Sequence, residues 1–328
     1  MKKGRKTNGS GWQGLGVQSL TPTELDNIHG ATLKVLQHTG IRVYSLDALK
    51  IFASGGADVD FHSGLVRIPP YMVEESIESA PSCFILAGRT PEDDVFIGGR
   101  RVHFTTFGAG SKVLDHQTGK LSHATKSDLG EAALVADALS NVDIFTTTVT
   151  ATDMPVDLGG LHEAEAFLLN TSKHCQHCHL KDGFEARLFF EMAAVITGGW
   201  DKLRERPIVS TMICPSSPLQ LHRGNAEIII ESARAFVPVN ILPMVMAGAT
   251  APVTLAGTMV VHNAEVLGGI VLHQLVNRGA PIIYGGSSTI FDMYTLTAPV
   301  GAPEVGMLSA AAAEMAHFYL LPSYVGGT

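Results

Sequence analysis

From about residue 102 onward the chain repeats one pattern: a short apolar, β-branched run, a turn, then a stretch with helical spacing. The runs are "VHFTTFG", "NVDIFTTTV", "KHCQHCHL", "PIVSTMIC", "VNILPMVM", "APIIYGG" and "SYVGGT". Helices are expected at 125–139, from about 158, at 183–197, from near Leu219, at 254–277 and at 303–320. A strand that always returns through a helix must pair parallel with its predecessor, by a right-handed crossover. Seven such strands, with no Gly-x-Gly-x-x-Gly after the first, favour a closed barrel over a doubly wound sheet. The expected fold class is α/β: a TIM (β/α)8-type barrel, incomplete at its C-terminus, with about seven strands present. An open seven-stranded parallel sheet would expose apolar edges, so the chain is expected to stop short of its eighth strand.

Residues 17–100 read differently. "LTPTELDNIHGATLKVLQHTG" is a helix capped by Thr21, with Pro22 at its first position and Gly40 at its end. A short helix near 46–54, a strand at "LVRIP", a helix after Pro69-Pro70 and strand-like "CFILAG" and "DVFIGG" follow. The expected division is a disordered tail over 1–16, an N-terminal α+β extension over 17–100 and a partial barrel carrying catalysis over 101–328.

The 328 residues carry a net charge of −8, which gives no reason to expect nucleic acid or an anionic membrane as partner. The basic, glycine-rich N-terminus lacks the apolar core of a signal peptide. The nearest thing to a membrane span, "MVVHNAEVLGGIVLHQLV", contains His262, Asn263, Glu265 and His273. Cys83, Cys175, Cys178 and Cys214 do not form a secreted disulfide pattern. A cytoplasmic protein is expected.

Barrel sites lie at the C-terminal ends of strands. That selects Thr106, Phe107 and Gly108; Thr147 and Thr148; His177 and His179; Cys214; Met244 and Met246; Tyr284, Gly285 and Ser287; and Tyr324, Gly326, Gly327 and Thr328. "KHCQHCHL" taken alone suggests zinc, and with it a metal-dependent barrel hydrolase. Strand alternation puts Cys175 and Cys178 on opposite faces, so no metal site is expected there. In "LHEAEAFLLN", His162, Glu163 and Glu165 are expected in a solvated first helical turn rather than around a metal.

Three stretches carry a family likeness: "LTPTELDNIHGATLKVLQHTGIRV", "LDHQTGKLSHATKSDLGEAALVADALSNVDIF" and "TAPVGAPEVGMLSAAAAEMAHFYLLPSYVGGT". Together they resemble the trimethylamine methyltransferase (MttB-like) family over most of 17–328. The resemblance implies a TIM barrel with an N-terminal extension. The activity it implies is transfer of a methyl group from trimethylamine to the Co(I) corrinoid of a separate corrinoid protein, in anaerobic methylamine metabolism. No cofactor would be bound directly, and the full-length enzyme would be a homo-oligomer. The family's trimethylamine enzymes carry pyrrolysine just after this glycine-rich segment. An amber codon read as a stop would end the chain at Thr328, so pyrrolysine is expected next and the 328-residue fragment is expected to be inactive. A glycine betaine enzyme without pyrrolysine is the alternative within the family. Under this resemblance the catalytic candidates are Glu304, which could protonate departing dimethylamine, with Tyr284 and His177. Substrate contacts are expected from Phe107, Met244, Tyr284, Gly285, Tyr324, Gly326 and Gly327.

Overall fold

The computed structural model describes residues 12–13, 18–115 and 118–326. The chain divides into two compact units: residues 1–14 with 84–212, and residues 15–83 with 213–328. Both are mixed α/β, and in each the expected alternation builds parallel strands. Of the expected tail over 1–16, only Trp12–Gln13 is described, paired antiparallel with Arg101–Val102.

The first unit contains β1 (Ile144–Thr146), β2 (His174–His177) and β3 (Val209–Ile213), which carries the chain to the boundary. They run parallel, with Ile144 opposite His174 and Cys175 opposite Val209. Its helices begin where local chemistry says they should. Thr125 and Asp128 form a reciprocal capping box before Lys126–Ala138, and Asp182 caps Gly183–Thr197. The core is aromatic: Phe145, Phe167, Phe189 and Phe190 are all fully buried, and the Phe167 and Phe189 rings meet edge to face at 6.0 Å.

The first expected strand, over 102–108, is reduced to isolated bridges, Thr105 to Ile144 and Gly110 to Val149. Some backbone hydrogen bonds form, from the Asp143 and Ile144 amides to Phe104 O and from the Thr106 amide to Ile144 O, and side chains share in the pairing. The Phe104 amide donates to the Asp143 carboxylate at 3.2 Å, the Thr106 hydroxyl donates to Thr146 O at 2.6 Å, and the Thr146 amide donates back to that hydroxyl at 2.9 Å.

The second unit contains β4 (Val239–Ile241), β5 (Ile282–Gly286) and β6 (Ser323–Val325), again parallel. Val239 lies opposite Ile282, and Gly285 opposite Tyr324. Its N-terminal part supplies helices Pro22–Lys34, Leu46–Gly55 and Pro70–Ser79 and an antiparallel sheet of 41–43, 65–67 and 58–60. Strand 220–221 joins that sheet parallel to 41–43.

Helix Leu255–Val276 runs through the middle of this unit. It is long and apolar enough to cross a membrane, yet 72% of its most apolar window is buried inside the structure. Its polar residues have internal work. Asn263 donates to Thr32 Oγ1 at 3.0 Å and to the Tyr319 hydroxyl at 2.8 Å, and accepts from the Tyr284 hydroxyl at 2.9 Å. The Tyr319 hydroxyl in turn lies 3.0 Å from His29 Nδ1. Glu265 accepts from Ser217 Oγ and from the Leu219 amide, both at 2.9 Å, and so holds the 214–221 turn. Gly268 and Gly269 leave room for neighbours: a methyl on the first would press on Ile41, and on the second on Ile241.

Four buried histidines set the acid behaviour. Burial pushes His174, His177 and His262 down to about 4 and His273 to about 3. Each is therefore neutral when folded, while its unfolded counterpart takes a proton near 6.5. Stability from these groups is full above pH 6.5 and is lost progressively as pH falls towards 4, and for His273 towards 3. Glu265 works in the opposite sense. Burial raises it to about 7 against an unfolded value near 4.5, so its contribution falls as pH rises from 4.5 to 7. Urea unfolding should show the midpoint climbing steeply from pH 4 to 6.5. In Glu265→Gln that climb should steepen; an unchanged profile would place the Glu265 carboxyl in solvent.

Candidate active site

Tyr284 and Gly286 point to the helical layer. The Tyr284 hydroxyl reaches Asn263, its ring lies 5.7 Å from that of His262, and a Cβ on Gly286 would stand 2.8 Å from the His262 ring and 3.1 Å from Ala312. Alternation in a strand then turns Gly285 to the opposite face. Ile241 meets Gly269 of the helix, so Asn240 likewise turns away from it. Asn240 Oδ1 lies where a Gly285 Cβ would be, and Ile241 O would stand 2.5 Å from that Cβ. Only glycine fits there. Tyr324, half-buried, is the register partner of Gly285 and shares its face. Asn240, Gly285 and Tyr324 thus line one face of three parallel strands.

Asn240 is fully buried, and among the described residues neither its Oδ1 nor its Nδ2 has a hydrogen-bond partner. Leaving such an amide unpaired costs about 1–3 kcal/mol for each polar group. Behind the strand, His262 Nδ1 lies 2.8 Å from Ser288 Oγ, which also accepts from the Val245 amide at 3.3 Å. His262 Nε2 has no partner among the described residues. The Gly326 amide donates to Gly286 O at 2.9 Å and so extends the β5–β6 pairing to the C-terminal side. Met244 is half exposed just past β4, and the neighbouring Pro243 O accepts from the Ser287 amide at 3.0 Å. Glu304 sits half-buried in the first turn of helix Pro303–Phe318. Gly327 and Thr328 lie outside the described residues.

The first unit gathers a second polar cluster at the end of β2. His177 is fully buried. Its Nε2 donates to Gly160 O at 2.8 Å, its Nδ1 accepts from the His179 amide at 3.2 Å, and Phe167 and Phe189 stand edge-on to its ring at 5.3 Å. His179 Nδ1 pairs with Glu163 Oε2 at 2.8 Å, and Glu163 Oε1 accepts from the Ala151 amide at 3.0 Å. Burial opposes charge on His179, but interactions with Cys178 and Glu163 overcome it and hold the imidazole well above its ordinary value. Glu163 is 1% exposed, not solvated as its place in the first helical turn suggests; Glu165 keeps that solvated role and meets Lys126 at 2.5 Å. Phe107 is half exposed. The Cys175 sulfur contacts Lys173 O, and the Cys178 sulfur contacts Gly108 O and Thr147 O at 3.9 Å. Cys214 is half-buried, and its carbonyl accepts from Asn225 in the second unit. Among the described residues no group of three or more His, Cys, Asp or Glu side chains is arranged to hold a metal ion.

Sequence reasoning missed Asn240, Asn263, His262 and Ser288. The one signal for Asn240 was a lone amide inside the apolar run "VNILPMVM".

The profile of the trimethylamine methyltransferase (MTTB) family matches residues 14–328. The chain is 47% identical over 315 residues to trimethylamine methyltransferase MttB of Desulfitobacterium hafniense, covering 96% of this chain and 63% of that protein. It is 40% identical over 320 residues to MttB of Methanosarcina thermophila, covering 96% of this chain and 66% of the relative. A glycine betaine methyltransferase of Desulfitobacterium hafniense is 33% identical over 309 residues, 94% of this chain and 64% of its own length. The chain thus spans a little under two thirds of these relatives. It belongs to the trimethylamine methyltransferase (MTTB) family.

Proposed function

We propose that the whole protein acts in the cytoplasm on a TIM-type barrel and moves a methyl group from trimethylamine to the Co(I) corrinoid of a cognate corrinoid protein, in anaerobic methylamine metabolism. The observation that carries this reading is 47% identity to a trimethylamine methyltransferase across 96% of the chain, against 33% to the glycine betaine enzyme. The strand ends of the second unit agree with it. Met244, half exposed just past β4, and Tyr324, half-buried on β6, offer apolar and aromatic surface suited to a small methylated amine.

The corrinoid belongs to the partner and supplies the nucleophile; no residue of this chain is assigned to hold it. In the step proposed, the amine's C–N bond breaks with its electron pair staying on nitrogen. The methyl group leaves on cobalt, and dimethylamine departs. This chain's part is alignment and proton control. Gly285 leaves room for the Asn240 amide. Tyr284, tied to Asn263, fixes β5 as a positioning residue. Glu304 manages the proton on the departing amine.

The test is an assay of the full reading frame with reduced corrinoid protein. Trimethylamine should yield dimethylamine and methyl-Co(III) one for one, and glycine betaine neither. Methyl-Co(III) formed from glycine betaine and not from trimethylamine would move the assignment to the quaternary-amine branch. Glu304→Gln should lower kcat about 100-fold with KM little changed. Gly285→Ala, whose methyl would collide with Asn240 and the Ile241 carbonyl, should abolish amine binding and lower the melting temperature.

A further inference from the structure

Among the described residues, Asn240 is the one side chain with two buried polar atoms that both lack a hydrogen-bond partner. Buried polar groups are nearly always hydrogen-bonded. Here both ends of a fully buried amide lack a partner among the described residues. The amide also lies over Gly285, where any side chain would displace it, on the face shared with Tyr324 and away from the helices. A side chain given that position and no partner is prepared for a group that arrives from outside the chain.

We propose that the Asn240 amide is the polar floor of the amine site, and that it selects amines whose nitrogen can hydrogen-bond over quaternary ammonium ions. This rests on the methylamine reading above and adds a specificity-determining residue to it. The chemistry is simple. Nδ2–H can donate to the lone pair of a free tertiary amine, and Oδ1 can accept from the single N–H of its protonated form. A quaternary nitrogen has neither lone pair nor proton. It would leave both ends of the amide unpaired, and a site built around a hydrogen bond rejects a ligand that cannot make it.

The experiment compares trimethylamine with tetramethylammonium, by calorimetric or NMR titration of the protein made from the full reading frame and of its Asn240→Leu variant. Leucine keeps the branched shape of asparagine without its polar atoms and is the larger of the two, so exclusion by size alone would survive the change. The wild-type chain should bind trimethylamine at least about tenfold more tightly than tetramethylammonium. Asn240→Leu should lose about tenfold towards trimethylamine, leave tetramethylammonium within twofold, and so erase the preference. A preference that persists in Asn240→Leu overturns the inference and leaves the methylamine reading standing, as does equal binding of both ions by the wild type. Binding of neither overturns the inference and counts against the reading as well. Thermal melting supplies an independent check on folding. Removing an amide that has no partner should hold or raise the melting temperature of the smaller apolar variant Asn240→Val. A fall of several degrees there would show that the amide is satisfied within the fold, by a buried water for instance, and would also overturn the inference.

Discussion

The second unit depends on one side chain in the middle of one helix. Asn263 makes three hydrogen bonds, to Thr32, Tyr319 and Tyr284, which lie on the first helix, just past the last helix and on β5. Burying an amide there is tolerable only because it is satisfied, and its satisfaction fixes the mutual placement of three distant segments. An apolar residue in its place would take one partner from each of three polar groups. Thr32 could still fall back on the Ile28 carbonyl, and Tyr319 on His29, but the Tyr284 hydroxyl has no other hydrogen bond among those described.

That anchor reaches the candidate site through strand geometry. Tyr284 is held towards the helices, so Gly285 must face the other way, and the space above it is kept for Asn240. The two asparagines play opposite parts. Asn263 spends its hydrogen bonds inside the fold and orders it. Asn240 makes none among the described residues and is held ready. A polar side chain kept buried and unpaired is a local cost that a stable fold can carry at a functional position.

The parts of this organisation that were legible in the sequence are the local ones. Strand–helix alternation is a matter of period and turn residues, and six of the seven expected strands occur close to their predicted positions. Thr21 and Thr125 cap the helices that follow them because a cap needs only residues three positions away. The missing first strand shows the limit. "VHFTTFG" has strand chemistry and makes backbone hydrogen bonds at Phe104 and Thr106, but contacts to Asp143 and the threonine hydroxyls interleave with them and interrupt the regular ladder. Glu163 looked like a solvated first-turn carboxylate and is buried, since its partner His179 arrives from the end of the following strand. Asn263 and Thr32 are 231 residues apart. No window along the chain relates them. Asn240 was hidden for a related reason: what marks it is the lack of partners, and a sequence cannot display a lack.

The adjacent glycines of the central helix have a consequence for distance. Ile41 and Ile241 reach towards the helix backbone itself at Gly268 and Gly269, so the separation of each neighbouring strand from the helix axis is gauged by main-chain atoms and one isoleucine. Because β4 is seated this low, Asn240, on its far side, stands at a depth fixed by the absence of one methyl group, at Gly269, more than twenty-five positions further along the chain. Adding either methyl would act like a shim, lifting a strand without touching Asn240 or Gly285.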